Sequence, residues 1–316
     1  MPTRLWISLN VVAWMLLSAA IGLGDSPSPP VEAKRPADGK LRIIVFGAHP
    51  DDAEIRAGGA AVLWSALGHH VKLVSVTNGD AGHTRMTRQA LAARRVAEVQ
   101  AASKILGTTS QVLDIHDGEL MPTLENRRTM TRLIRSWNAD VVIAHRPNDY
   151  HPDHRYVGVL AQDSAFMVTV PLFCPDTPYL KDNPVFLYSY DTFERPNPFR
   201  PDIVVSIDGV IERKLDALLL LESQFVEGGA NSGRDPFPNN AAERAACARR
   251  SRERFATRFA SIADRGREKL IELYGEEEGR KVKYAEAFEI CEFGRRPTAD
   301  DIRRLFPFLP QKKSAK

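Results

Sequence analysis

Residues 41–59, "LRIIVFGAHPDDAEIRAGG", run from an apolar stretch straight into a histidine and three carboxylates. The run "LRIIVF" has the length and β-branched content of a buried strand, and residues 53–68, "AEIRAGGAAVLWSALG", read as a helix. A strand without polar alternation, followed at once by a helix, is the opening of a parallel sheet covered on both faces. Such sheets bind ligands beyond the carboxyl ends of their strands, which is where His49, Asp51, Asp52 and Glu54 fall. Carboxylates crowded into a buried turn repel one another and lose solvation. A cation removes both objections, so this stretch predicts a sheet and asks for a metal.

The alternation continues outward. Residues 70–78 and 110–115 are strand-like, 88–107 and 125–138 helical, and "ADVVIAH", 139–145, is another apolar strand. Strand-like 185–193 and 202–208 follow, then a helix expected over 209–225, "GVIERKLDALLLLESQF". The fold class is therefore α/β, a Rossmann-like, doubly wound, mostly parallel sheet with helices on both faces. The Gly-, Asn- and Pro-rich segment 226–240 is either a lid or a long connection. Arg- and Glu-rich helices complete the chain, and their mixed charges read as solvated faces.

Bulk properties bound the function. The chain has 316 residues, 43% hydrophobic and 26% charged, with a net charge of +3, so a sizeable core is expected and nothing demands a nucleic-acid partner. Residues 1–24 show a positive residue, an apolar stretch and a small-residue zone, the order of a signal peptide, with an uncleaved anchor as the alternative. Export to the periplasm, cell envelope or medium follows, and with the signal cleaved no stable membrane association is expected. Residues 25–40 form a Pro- and Ser-rich linker, leaving 41–316 as a single domain. Homo-oligomerisation stays open. Cys174, Cys247 and Cys291 lack any zinc-finger spacing, and free thiols are expected.

A second polar block, "RPNDYHPDHRYVG" at 146–158, ends the strand 139–145 and carries Asp149, His151, Asp153 and His154. One histidine at a strand end is commonplace, and Pro-Asp is an ordinary way to cap a helix. Two such blocks at equivalent strand ends, however, converge in a parallel sheet. Two imidazoles and one carboxylate leave a coordination position open, the pattern of a catalytic zinc, and Fe²⁺ or another divalent metal such as Co²⁺ also fits N/O donors. Residue types alone leave open whether Asp51 or Asp52 is the ligand. No Gly-x-Gly-x-x-Gly follows the first strand, which argues against a nucleotide-binding reading.

"AHPDDAEIRAGG" with "HPDHRYVG" resembles the PIG-L/LmbE-like deacetylases, typified by zinc-dependent N-acetylglucosaminyl deacetylases. "VTNGDAG" (76–82), "RRVAEVQAASKILG" (94–107), "HDGEL" (116–120) and "YAEAF" (284–288) are similar to further family segments. "KLDALLLLESQF" (214–225) departs from it, with Leu221 where a histidine is common. The resemblance implies zinc held by His49, Asp52 and His154, with Asp51 as general base. It further implies His151 stabilising the oxyanion or protonating the leaving group, and Asp153 orienting a histidine. Arg95, Asn148 and Asp149 are candidates for the substrate side, against a helix salt bridge between Arg95 and Glu98 and a simple strand-end turn. The expectation is a secreted deacetylase of an N-acetylglucosamine-type sugar or glycoconjugate. Its alternatives are an amidase on a non-sugar N-acyl substrate and a non-catalytic carbohydrate-binding protein with a structural metal.

Overall fold

The computed structural model describes residues 29–231 and 237–310. Its strands are β1 (Arg42–Gly47), β2 (His70–Ser75), β3 (Thr109–Val112), β4 (Val141–Ala144), β5 (Val185–Ser189), β6 (Ile203–Ser206) and β7 (Ala285–Gly294). The helices between and after them are α1 (Asp52–Ala66), α2 (Arg88–Leu106), α3 (Leu124–Trp137), α4 (Pro152–Met167) and α5 (Ile211–Leu219). Then come α6 (Glu222–Phe225), α7 (Ala241–Arg265), α8 (Arg267–Tyr274), α9 (Glu276–Lys281) and α10 (Ala299–Leu305).

One seven-stranded sheet has the order β3-β2-β1-β4-β5-β7-β6. Strands β1 to β5 pair in parallel. Strand β7 lies antiparallel between β5 and β6, so the mostly parallel, doubly wound architecture holds. The sequence reading had no strand at β7, which at 10 residues is the longest among those described. Successive residues of β1 explain its apolar run. Ile43 and Val45 pack into one core with residues of α1, α2, α5 and α7, and Ile44 and Phe46 into another with α3 and α4.

Three details adjust the sequence picture. The helix expected over 209–225 breaks at Leu221, because Glu98 on α2 accepts hydrogen bonds from Ser223 N at 2.9 Å and Ser223 Oγ at 2.6 Å. Leu221 itself is a buried core residue. The described part of the linker is docked rather than free: Glu32 bridges to Tyr179, and Arg35 pairs with Asp140 at 2.7 Å. All three cysteines are free.

A buried ion pair clamps α1 to the far side of the sheet. Lys214 Nζ donates to Glu286 and to Ile55 O, and the same carboxylate accepts Gly59 N at 2.6 Å and Ala60 N at 2.8 Å. A Cβ at Gly59 would stand 2.6 Å from Ile207 Cγ2, so this position must be glycine, whereas one at Gly58 meets nothing nearer than 3.7 Å.

The segment 1–24, read as a signal peptide, lies outside the described residues, as do 232–236 of the segment read as lid or connection. No helix among the described residues is long and apolar enough to cross a membrane.

Candidate metal centre

The strand order reverses between the parallel neighbours β1 and β4, since β1 leads to β2 on one side and β4 leads to β5 on the other. This switch point opens the crevice in which doubly wound sheets bind ligands. It brings the two polar blocks together. After β1, Asp51 N and Asp52 N both donate to His49 O, at 2.8 and 3.2 Å, forming a tight turn into α1. Asp51 stands at the N-cap of α1 but its side chain makes no capping bond, so the carboxylate stays available to the crevice. After β4, His151 caps α4 through Nδ1, which accepts Asp153 N at 3.2 Å, and Pro152 occupies the first helical turn. Gly158 lets α4 approach: a Cβ there would lie 2.8 Å from His145 O and Arg146 C.

Three donor atoms form a triangle. His49 Nδ1 and His154 Nε2 each lie 3.3 Å from Asp52 Oδ2, and 3.3 Å from one another. Ligands at 2.0–2.2 Å around a tetrahedral zinc are separated by roughly 3.3–3.5 Å. The triangle therefore has the dimensions of one face of such a site. Each imidazole is also held from behind. His49 Nε2 faces Asp117 Oδ1 at 3.0 Å and Asp153 Oδ2 at 3.2 Å, and His154 Nδ1 faces Asp149 Oδ1 at 3.1 Å. Carboxylates in these places orient ligating imidazoles and make them better donors.

His145 comes equally close, 3.4 Å from Asp52 Oδ2 through Nε2, and stacks on His154 at 4.2 Å. Ala48 N donates to that same nitrogen at 3.2 Å, so its lone pair is engaged and the ring backs the site. Burial, then the neighbouring His154, pushes His145 down to about 4 and keeps it neutral.

The charges fit a cation. Burial works against ionising Asp52, yet the facing His154 holds its carboxyl well below the usual range. Burial likewise opposes protonation of His49 and His154. Asp117, Asp153 and Asp52 nevertheless raise His49 well above its ordinary value, and Asp52 and Asp149 raise His154 to about 9. Two imidazolium rings held 3.3 Å apart would repel. A divalent ion in place of both protons meets three lone pairs and removes that repulsion. Burial, reinforced by Asp52, pushes Asp51 up to about 6. Burial also pushes Glu54 up to about 8, so this third carboxylate of the turn is neutral at pH 7.

Of the residues singled out in sequence, His49, Asp51, Asp52, His151, Asp153 and His154 converge here. A nitrogen of His151 lies within 4.8 Å of those of His49 and His154. The three substrate-side candidates do not line the crevice. Arg95 is buried, donating to Gly82 O and Gln224, and it fills the space that side chains at Gly79 and Gly82 would need. The salt bridge of Glu98 is made by Arg94, at 2.9 Å, rather than Arg95. Asn148 donates to Arg195 O at 3.2 Å, and Asp149 sits buried behind His154. The crevice, about 470 Å³, is walled by Arg56, Tyr150, Tyr190, Phe193, Gln224 and Arg258 together with His49, Asp51, Asp52 and His154.

Sequence reasoning missed Asp117, which carried a signal only as part of "HDGEL", and Arg258, which looked like one more charge on a charged helix.

Residues 44–165 match the family model described as "PIG-L: GlcNAc-PI de-N-acetylase". The chain is 29% identical to the diacetylchitobiose deacetylase of Thermococcus kodakarensis over 59% of its own length and 71% of the relative's. It is 25% identical to the 4-oxalmesaconate hydratase of Pseudomonas putida, over 57% and 73% of the two chains. Among solved structures, the N,N'-diacetylchitobiose deacetylase from Pyrococcus horikoshii in complex with its inhibitor MPG superposes with a TM-score of 0.62 at 26% identity. That match covers 82% of this chain and 87% of the other.

Proposed function

The chain belongs to the PIG-L/LmbE-like deacetylase family, and from that premise we propose that it hydrolyses the N-acetyl amide of an N-acetylglucosamine-type sugar or glycoconjugate, using zinc. The observation that carries the proposal is the donor triangle with the uncapped Asp51 beside it.

His49, Asp52 and His154 would hold the ion. A divalent metal there supplies a Lewis acid for the amide carbonyl and acidifies the attacking water. Asp51 accepts the water proton as the oxygen adds to the carbonyl carbon; its raised value of about 6 suits a base that must also release a proton. His151 has Nδ1 committed to Asp153 N, so the neutral ring carries its proton on Nε2 and donates from there to the developing oxyanion. Asp51 then returns the proton to the amide nitrogen. The C–N bond breaks, and acetate and a free amine leave. Asp117, Asp149 and Asp153 fix the two imidazoles.

The test is metal content by elemental analysis, coupled to acetate release from N-acetylglucosamine and N,N'-diacetylchitobiose. About one zinc per chain with chelator-sensitive acetate release supports the reading. Zinc without acetate from any N-acetylated sugar overturns it. The hydratase relative marks a second reading, in which the same centre adds water to a carbon–carbon double bond; that reaction liberates no acetate. From residues 1–24 we further propose that the protein acts outside the cytoplasm, a reading overturned if fractionation finds the full-length chain in the cytosol.

A further inference from the structure

The helix break at Leu221 reaches into the crevice. With α5 ended and α6 begun at Glu222, Gln224 and Phe225 stand in the wall around the donor triangle. Gln224 is held there by its oxygen. Oε1 accepts from the guanidinium of Arg95, a side chain 2% exposed that also donates to Gly82 O at 3.1 Å. An amide must turn its carbonyl to such a donor, so the NH₂ end is the one left over. Gly229 packs against the same group: a Cβ there would lie 2.8 Å from Gln224 Cδ. Among the described residues Nε2 has no acceptor, although Gln224 is half-buried. The amide is fixed in place with two N–H donors and nothing to receive them.

Phe225 stands beside it, met edge-on by Phe255 with ring centroids 4.8 Å apart, and Tyr150, Tyr190 and Phe193 line the same crevice. A fixed neutral donor among aromatic faces suits a ligand with hydroxyl oxygens on its rim and C–H groups on its faces. A pyranose has that chemistry. The acetyl carbonyl is not the acceptor in question, because in the reaction proposed above the metal and His151 serve its oxygen.

We propose that Gln224 is a specificity-determining residue: its Nε2 donates to a ring hydroxyl of the bound sugar, and Arg95 and Gly229 position it for that bond. The inference rests on the deacetylase reading for its ligand. It is tested by binding as well as turnover, so that the two fail separately.

The ligands are N-acetylglucosamine and its 3-, 4- and 6-deoxy analogues, titrated calorimetrically into zinc-loaded Asp51→Asn protein to read binding without turnover. One deoxy analogue should bind about fivefold weaker than the parent, the loss of one neutral hydrogen bond. In Asp51→Asn/Gln224→Met the parent should weaken by about the same factor, and that analogue should now bind as well as the parent. Asp51→Asn/Gln224→Glu separates donation from propping. The new carboxylate still accepts from Arg95 but offers no N–H, so discrimination between the two sugars should vanish there too. Discrimination that survives in either double variant overturns the assignment, even if acetate is released. So does equal binding of all four sugars, or binding of none, to Asp51→Asn protein. Discrimination that depends on Gln224, without acetate release from the enzyme, keeps the assignment and overturns the deacetylase reading instead. Melting curves check each variant; if the Gln224→Met protein does not fold, Gln224→Glu, which retains the tie to Arg95, decides the test.

Discussion

Asp117 Oδ1 lies 3.0 Å from His49 Nε2, on the opposite side of the ring from Asp52. With Asp153 Oδ2 at 3.2 Å from the same nitrogen, it keeps the proton on Nε2 and turns the Nδ1 lone pair toward the metal position. Asp153 also accepts Gly118 N at 2.7 Å and Leu120 N at 3.3 Å, tying the turn that carries Asp117 to the start of α4.

Asp153→Asn should therefore weaken zinc binding by about 10–100-fold. Asp117→Asn should weaken it less, because Asp117 is partly open to solvent while Asp153 is completely buried. Competition with a chromophoric chelator measures both. Equal affinity in wild type and Asp153→Asn would remove the orienting role.

Asp51→Asn should keep zinc, since no edge of the donor triangle involves Asp51. Acetate release should fall by about 10²–10⁴-fold, the usual contribution of a positioned base. Elemental analysis and acetate assay on one preparation decide it, and undiminished turnover would assign the base elsewhere.

Two glycine substitutions should part company. Gly158→Ala places a methyl 2.8 Å from His145 O and Arg146 C, forcing α4 and its His154 away from β4. A loss of about 1–3 kcal/mol in stability is expected, with weaker zinc binding. Gly58→Ala meets nothing closer than 3.7 Å and should be neutral or stabilising by up to about 1 kcal/mol, from helix propensity. Urea denaturation of the two variants makes the comparison; similar losses would contradict the packing argument.

Acid sensitivity should trace partly to Glu227. Burial opposes its ionisation, but Arg94 and Arg244 bring its carboxyl down to about 2 from an ordinary 4.5. A depressed carboxylate contributes stability fully above its unfolded value, and that contribution disappears as pH falls from about 4.5 toward 2. Glu227→Gln should melt a few degrees lower than wild type at pH 7, with the gap narrowing below pH 4.5. A gap independent of pH would mean the arginines stabilise Glu227 by packing alone.

Much of the site was legible because its parts are local. "LRIIVF" is apolar apart from Arg42 near its start, so both its faces must be buried, and His49, Asp51 and Asp52 sit in the tight turn that follows it. "HPDH" repeats the arrangement at β4. What was not legible arrives from a distance. Segment 285–294 mixes Glu286, Glu289 and Glu292 among its apolar residues, and Glu286 is buried only because Lys214 neutralises it from α5. The break in the helix at 221 has no glycine or proline to mark it; Glu98 on α2 causes it. Arg258 was hidden in a charge-rich helix among arginines such as Arg244 and Arg252, which do find carboxylates.

By itself, then, the sequence determined the strand–turn–helix units, the histidine and carboxylate types of the candidate metal centre and the edge of the sheet at which they would meet. Those are consequences of apolar periodicity and of short-range turn chemistry, which act over a few residues. Tertiary structure alone decided which imidazole nitrogens turn toward Asp52, that Arg95 serves as a buried prop, and that Arg258 has no ion-pair partner among the described residues. Each depends on strand order and on contacts such as that between His49 and Asp153, 104 residues apart, and periodicity along the chain carries no information about how far-separated segments are laid side by side.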